Sequence, residues 1–369
     1  MIPASIYHTI YIYLIFALTI LYVLSHQNLS YQAIRQGKDN YGASLVLCIT
    51  LILFLGLRPV SYHFGDTINY AKTYEHFMYG IMSYDPTSSD RLFYWFMDKA
   101  SNTISVNAFF FIIELGYIGC TLWACKRLMR NNVWVAILFN LAAFSFYSYG
   151  VNGIRNGLAC AIMLVAFSYI LGSKNDKIIA AILSICAYNI HKSTALPILM
   201  MAVSAFILPK FKNSLQYVIL FWAISIFLSL IAGGWIESLF VGLGFDDRLD
   251  NYITSDEYDE QFSQTGFRWD LLLYSAMPII LGWYVVIKKR VSNQTYLMLL
   301  NTYILCNAFW VMLIRSSFSN RFAYLSWFMY PILLAYPLLK LPIWQKQSDK
   351  LNWIMLANLG FTYLMWLIG

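Results

Sequence analysis

Charge is what this chain of 369 residues has least of: only 12% are Asp, Glu, Lys or Arg, about half the roughly 25% of a soluble domain. That scarcity excludes a soluble globular protein. No nucleophile elbow, P-loop, GxGxxG fingerprint or HExxH motif is present, which removes lipase-like, ATPase, nicotinamide-dependent and zincin readings. The six cysteines (Cys48, Cys120, Cys125, Cys160, Cys186 and Cys306) all fall in apolar segments. None has metal-ligand spacing, so they read as small core residues, with neither a disulfide framework nor a metal site expected. The opening stretch MIPASIYHTIYIYLIFALTILYVL lacks a basic leader and is too long for a signal-peptide core. It is expected to be a retained first helix. No internal repeat or low-complexity tract is evident, which weighs weakly against a carrier built from inverted repeats.

What is abundant is apolar: 60% of residues, 18% aromatic, with a mean hydropathy of +0.59. This composition predicts an all-α integral membrane protein, one polytopic domain over residues 1–369 embedded in a lipid bilayer. Windows of about twenty apolar residues give twelve candidate transmembrane helices. They lie near 4–24, 41–60, 105–125, 132–148, 151–171, 177–190, 194–209, 215–234, 269–287, 296–314, 321–339 and 351–368. The spans 177–190 and 194–209 are short for a crossing. Assigning alternate loops to two faces puts 15 of the 25 basic residues on one side with three acids, Asp39, Asp176 and Asp349, a net of +12. The opposite side nets −4, with Glu114 left inside a helix. By the positive-inside rule the first face is cytoplasmic and both termini lie outside. The overall charge of +7 is thus read as topology determinants in short loops, with no nucleic-acid partner expected. Two outer-face segments are long, 61–104 and 235–268.

The basic residues of the outer face are placed differently from the inner ones. Arg58, Arg155, Arg268, Arg315 and Arg321 sit at or within helix ends, flanked by apolar residues. An arginine there is costly unless it pairs or binds something. Five at one depth suggest an anion site; snorkelling to headgroups is the competing explanation. Arg155 and His191 belong to successive helices joined by the short turn Gly172–Lys177. At about 1.5 Å per residue they lie roughly 24 and 21 Å above it, which predicts a shared level near the outer surface. Gly150, Gly153 and Gly157 flank Arg155 and would let a partner helix or a ligand approach closely. In LGLRPVSYHFGDTINY, Pro59 ends the second helix after Arg58, and Gly65-Asp66 forms a turn just outside the membrane. Asp66 is either a general base beside the arginines or a turn-forming residue.

SSDRLFYWFMDKASN reads as an amphipathic helix on the outer surface, with Asp90 as its cap and Arg91 on its polar side. GFDDRLDNYITSDEYDE gathers Asp246, Asp247, Asp250, Asp256, Glu257, Asp259 and Glu260, but without calcium-loop spacing it reads as a solvated acidic surface. Glu114, near the middle of the third helix, is a functional candidate because a carboxylate at that depth needs a partner or a proton.

Arg58 followed by Gly65-Asp66 and Tyr70, then NGIRNGLACAI, then His191-Lys192-Ser193, GFRWDLLLYSAMPI and NRFAYLSWFMYP, run in the order found in the EpsG family of bacterial exopolysaccharide proteins. The chain resembles that family over about residues 40–340, as single-residue landmarks spread along the sequence, and through it the Wzy-type polymerases of O-antigen, capsule and exopolysaccharide biosynthesis. The resemblance implies a GT-C-like architecture in the bacterial inner (cytoplasmic) membrane. It implies a glycosyltransferase on the periplasmic face that joins undecaprenyl-pyrophosphate-linked oligosaccharide units and needs no cofactor. It leaves room for a chain-length regulator and a flippase of the same pathway as partners. By position it points to Arg58, Asp66, Tyr70, Arg155, His191, Arg268 and Arg321; Arg315 rests only on its helix-end placement.

The residues suit such chemistry. Charge developing on a leaving diphosphate needs arginines or a metal, and the arginines are the better match here. The attacking hydroxyl needs a base within reach, for which Asp66 ranks first and His191 second. A lipid-linked oligosaccharide flippase would require a charged path to the inner face, and a surface-sugar acyltransferase would require reactive cytoplasmic loops. Both remain alternatives.

Overall fold

The computed structural model describes residues 2–37, 40–242, 266–316 and 319–368, the side chains of 236–242 excepted. Lys38 and Asp39 and the acidic run from Asp246 to Glu260 lie outside the described residues, as does most of the long segment 235–268. No strand occurs among the described residues.

The helices are α1 (Tyr7–Ser25), α2 (Tyr31–Gln36), α3 (Tyr41–Gly56), α4 (Thr67–Met78), α5 (Arg91–Ser101), α6 (Val106–Met129), α7 (Val133–Leu141), α8 (Phe144–Val151), α9 (Ile154–Tyr169), α10 (Lys174–Ile190), α11 (Ala195–Ala202), α12 (Ser214–Gly242), α13 (Trp269–Trp283), α14 (Gln294–Met312), α15 (Asn320–Trp327), α16 (Tyr330–Lys340) and α17 (Gln347–Ile368). They form two compact units, Met1–Thr194 with Leu334–Gly369, and Ala195–Leu333.

In the first unit α9 lies between α6 and α10 and is buried along nearly its whole length. Close approach at its start needs a missing side chain: a Cβ on Gly157 would sit 2.3 Å from the Tyr149 carbonyl oxygen. The connections are set by local chemistry. Ser105 caps α6 by accepting from the Ala108 amide at 3.3 Å. Ser173 and Asp176 form a reciprocal capping box at the start of α10, satisfying amides that the helix cannot.

The expected span 132–148 is broken. α7 and α8 meet at 75°, because Ala143 leaves the helical region with ψ near 136°. A break at membrane depth strands carbonyls that lipid cannot hydrate. Here they are capped by side chains: Tyr11 donates to the Leu141 carbonyl at 2.7 Å, Asn358 to Phe139 at 3.0 Å and Thr362 to Ala142 at 2.8 Å. α1 and α17 are thereby tied to the bend.

The second unit is organised by buried side-chain hydrogen bonds. Trp222 of α12 donates to Asn307 at 2.8 Å, and Asn307 donates to Ser326 at 3.0 Å. Trp327 donates to Ser275 at 2.6 Å, and Tyr303 to the Ser275 carbonyl at 2.8 Å. These bonds join α12, α13, α14 and α15.

The chain is a polytopic membrane protein. Eight helices among the described residues are long and apolar enough to cross a bilayer, or nine if the bent α7–α8 pair counts as one span. The expectation of twelve differs for a physical reason. α3 and α9 are apolar but have 16 residues each, about 24 Å of helix against a core of about 30 Å. α10 starts with Lys174, Asp176 and Lys177, so its apolar run is shorter still.

Replacing Asn358 with Leu leaves the Phe139 carbonyl buried without its donor. The expected loss is about 1–3 kcal/mol, read as a lower unfolding temperature in detergent, whereas the same change at exposed Trp353 of the same helix should leave it unmoved.

Candidate functional site

The long segment 61–104 folds back onto the ends of α9 and α10, and Asp90 is the joint. This residue precedes α5 in a left-handed conformation, φ 63° and ψ 41°, a region that costs a side-chain-bearing residue energy but that Asp tolerates better than most. It takes the N-cap position expected of it, yet its side chain makes no capping bond. The carboxylate turns instead to donors on α9 and at the end of α10: Arg155 Nη1 donates to Oδ2 at 2.6 Å, the Lys192 amide donates to Oδ1 at 2.8 Å, and His191 Nδ1 lies at 3.4 Å. Asp90 is 6% exposed. Burial alone would push its carboxyl up, but the His191 hydrogen bond and charge, the Arg155 guanidinium and the Lys192 amide together hold it below the usual range.

Arg155 is equally enclosed. Its Nε donates to the Tyr70 hydroxyl at 3.0 Å and its Nη1 also to the Tyr94 hydroxyl at 3.1 Å. The guanidinium lies 5.4–5.8 Å from the ring centres of Tyr70, Phe93 and Tyr94, an aromatic cage that favours a cation. Tyr70, Tyr94 and His191 are half-buried, so the cluster has an accessible side. Arg155, His191 and Tyr70 are therefore gathered at one place, bridged by a carboxylate.

A second buried pair lies beside it. Arg58 and Glu114, each 1% exposed, approach to 3.7 Å. Arg58 donates to the Leu55 carbonyl at 2.7 Å and the Val151 carbonyl at 3.2 Å, and Thr67 Oγ1 also donates to Val151. Glu114 thus has the partner that local sequence did not name. Arg58 ties the end of α3 to the start of α4 and the end of α8. Gly150 lets a partner helix approach, with Glu114 and Tyr117 of α6 in the space its side chain would take, and Gly153 leaves room for the Tyr149 ring.

Asp66 begins α4 after Gly65, whose φ of 58° suits glycine. A Cβ on Gly65 would meet the Asn152 side chain at 2.4 Å, and the Asp66 amide donates to Asn152 Oδ1 at 2.7 Å. The Asp66 carboxylate accepts from Asn69 at 3.4 Å. One helical turn on, Tyr70 reaches Arg155, so Asp66 is linked to the cluster through both α4 and Asn152.

The remaining arginines belong to the second unit. Arg268, at the start of α13, forms a bidentate pair with Asp270 at 2.9 and 2.6 Å. Arg315 is exposed and lies 5.8 Å from the Phe267 ring centre, adjacent in sequence to Arg268. Arg321 lies in the first turn of α15 and is half-buried. Among the described residues no three His, Cys, Asp or Glu lie close enough to hold a metal ion.

Sequence reasoning missed Asp90 as a hub and missed Tyr94 and Asn152 altogether. Periodicity places Asp90 before an amphipathic helix and cannot report that its carboxylate turns to residues 65 and 101 positions away. The cluster can bind an anion at a caged guanidinium and can move a proton at an imidazole oriented by a carboxylate.

Asp90→Asn leaves Arg155 buried without its counter-charge. It should cost about 3–5 kcal/mol, and Asp90→Asn with Arg155→Gln should recover part of that loss in a double-mutant cycle of unfolding temperatures. Because the Asp90 carboxyl is held low, its contribution is present above the unfolded-state value of about 4 and is lost as pH falls through the folded one. Acid unfolding of the wild type should therefore steepen below about pH 4, and Asp90→Asn should flatten that limb.

No curated protein and no solved structure matches the chain. The sequence profile of the EpsG family matches residues 43–368, from α3 through α17. That match takes in both compact units and every residue of the Asp90 cluster. The chain therefore belongs to the EpsG family, membrane proteins of polysaccharide biosynthesis that are associated with exopolysaccharide polymerase or glycosyltransferase activity.

Proposed function

We propose that the protein is a polysaccharide polymerase of the bacterial inner membrane that joins undecaprenyl-pyrophosphate-linked oligosaccharide units by glycosyl transfer at the periplasmic face. The observation that carries this reading is the caged Arg155 beside a carboxylate-oriented histidine, in a chain of this family. Charge asymmetry between the loops supports an outer position for the cluster, with both termini outside.

In the reaction proposed, the bond between the donor sugar C1 and its diphosphate oxygen breaks and the electron pair leaves with the diphosphate. The acceptor hydroxyl oxygen bonds to C1 and its proton passes to His191. Asp90 holds His191 through Nδ1, leaving Nε2 for that proton. Arg155 meets the charge that grows on the diphosphate, while Tyr70 and Tyr94 keep the guanidinium in place. We place His191 ahead of Asp66 as the base because a second group orients it. Asp66, half-buried one turn before Tyr70, is assigned to the sugar hydroxyls. Arg268, Arg315 and Arg321, carried by the second unit, are proposed as anion-binding residues on their helix-end placement in the sequence. A flippase delivering the substrate and a chain-length regulator are the partners the same pathway would supply.

The test is incubation of purified protein in nanodiscs with a synthetic polyprenyl-pyrophosphate oligosaccharide and no nucleotide. A ladder spaced by whole repeat units is expected. His191→Gln should slow its growth by about 10²–10⁴, while Asp66→Asn should mainly raise the substrate concentration needed. Unchanged substrate with folded wild-type protein overturns the polymerase, and equal ladders from His191→Gln and wild type overturn the assigned base.

A further inference from the structure

The first unit carries a second concentration of charge that the proposed reaction does not use. α6 starts beside Ile104, whose carbonyl accepts from Tyr74 of α4 at 2.8 Å, and ends at Met129. Its 24 residues span about 36 Å, so the far end lies a membrane thickness from the Asp90 side. There a pocket of about 340 Å³ is lined by Tyr31, Arg35, Arg130, Asn131, Asn132 and Lys340 among others. No Asp or Glu lines it among the described residues. Arg35 and Arg130 both add to the positive potential at the Lys340 ammonium.

The backbone at this pocket is strained in a specific place. Arg130 has φ 58° and ψ −81°, and the Asn131 amide donates back to the Met129 carbonyl at 2.8 Å. That is a γ-turn of the rare kind, where a side-chain-bearing residue costs about 1–3 kcal/mol. Glycine would relieve it, yet an arginine stands there. The walls, by contrast, are well fixed. Tyr31 donates to the Lys340 carbonyl at 2.8 Å. The fully buried Gln347 donates to the Leu341 carbonyl at 2.8 Å and accepts from the Ile343 amide at 2.9 Å, which closes the turn after α16. Cations serving only as topology anchors would spread apart to lower their repulsion; here three line one pocket, with Arg35 and Arg130 exposed at its rim, that also presents two amide side chains and a half-buried tyrosine.

We propose that this pocket is a binding site for a phosphate-bearing group, a phosphomonoester or phosphodiester carried by an anionic membrane lipid or by a soluble compound. Arg35 and Arg130 meet the phosphate oxygens as planar donors, Lys340 adds a point charge from the end of α16, and Asn131 and Asn132 supply neutral donors. The bound anion removes the mutual repulsion of the three cations and offsets the strain at Arg130. The site is independent of the polymerase reading.

The test uses the full chain in phosphatidylcholine nanodiscs, with and without phosphatidylglycerol, read by native mass spectrometry, with Arg130→Gly and Arg35→Gln as variants. Arg130→Gly removes the charge while accepting the positive φ, so its unfolding temperature in phosphatidylcholine should be no lower than that of the wild type. In the lipid arm the wild type should retain phosphatidylglycerol and each variant about fivefold less. In the second arm inorganic phosphate is titrated at constant ionic strength in phosphatidylcholine discs. A rise in unfolding temperature that both variants lose supports the site with a soluble source, and selective retention of phosphatidylglycerol supports it with a lipid source. Equal phosphatidylglycerol retention together with an equal phosphate response in wild type and variants overturns the proposal.

Discussion

A carboxylate in apolar surroundings must be surrounded by donors, and one end of the first unit is arranged around one such carboxylate. Asp90 joins α5 to α9 through Arg155 and to the end of α10 through His191 and the Lys192 amide. Desolvation is severe at this depth, so the arrangement persists because attraction and hydrogen bonds on several sides outweigh it. The left-handed backbone at Asp90 is the cost of aiming the carboxylate inward rather than down the axis of α5. Everything proposed to be functional here follows from that direction: Arg155 is caged because Asp90 and two tyrosines share it, and His191 has a fixed edge because Asp90 faces its Nδ1.

The neighbouring Arg58–Glu114 pair is built differently. Its members are almost wholly enclosed, and the arginine spends its donors on main-chain carbonyls where α3, α4 and α8 meet. This pair braces the wall on which Asp66 and Tyr70 are carried. The bend between α7 and α8 is stabilised similarly, by hydroxyl and amide side chains from α1 and α17 that meet otherwise stranded carbonyls. In each case irregular backbone in an apolar protein is permitted only where a side chain replaces the missing water.

Charge is also segregated along the first unit. Toward Asp90 the cations are matched by a carboxylate and hydroxyls, and that end suits a reaction in which charge moves. About 36 Å away along α6, Arg35, Arg130 and Lys340 surround a pocket without an acidic partner among the described residues, and that end suits the static holding of an anion. The same residue types serve both ends; the difference lies in what faces them.

Composition and hydropathy determined that this chain is helical and lives in a bilayer, since 60% apolar residues with 12% charge, arranged in runs of about twenty, satisfy their backbone in lipid as helices. The order of single-residue landmarks was enough to identify the family, and helix rise with a six-residue turn was enough to put Arg155 and His191 on one level. Only the tertiary structure decided that Asp90 bridges them, that Glu114 pairs with Arg58, that one expected span is bent and that three cations at the far end of α6 share a pocket. The physical reason is range: periodicity and rise per residue are local and read directly from the chain, whereas the partner of a buried charge is chosen by electrostatics across contacts of 56 to 101 positions, which no local pattern encodes.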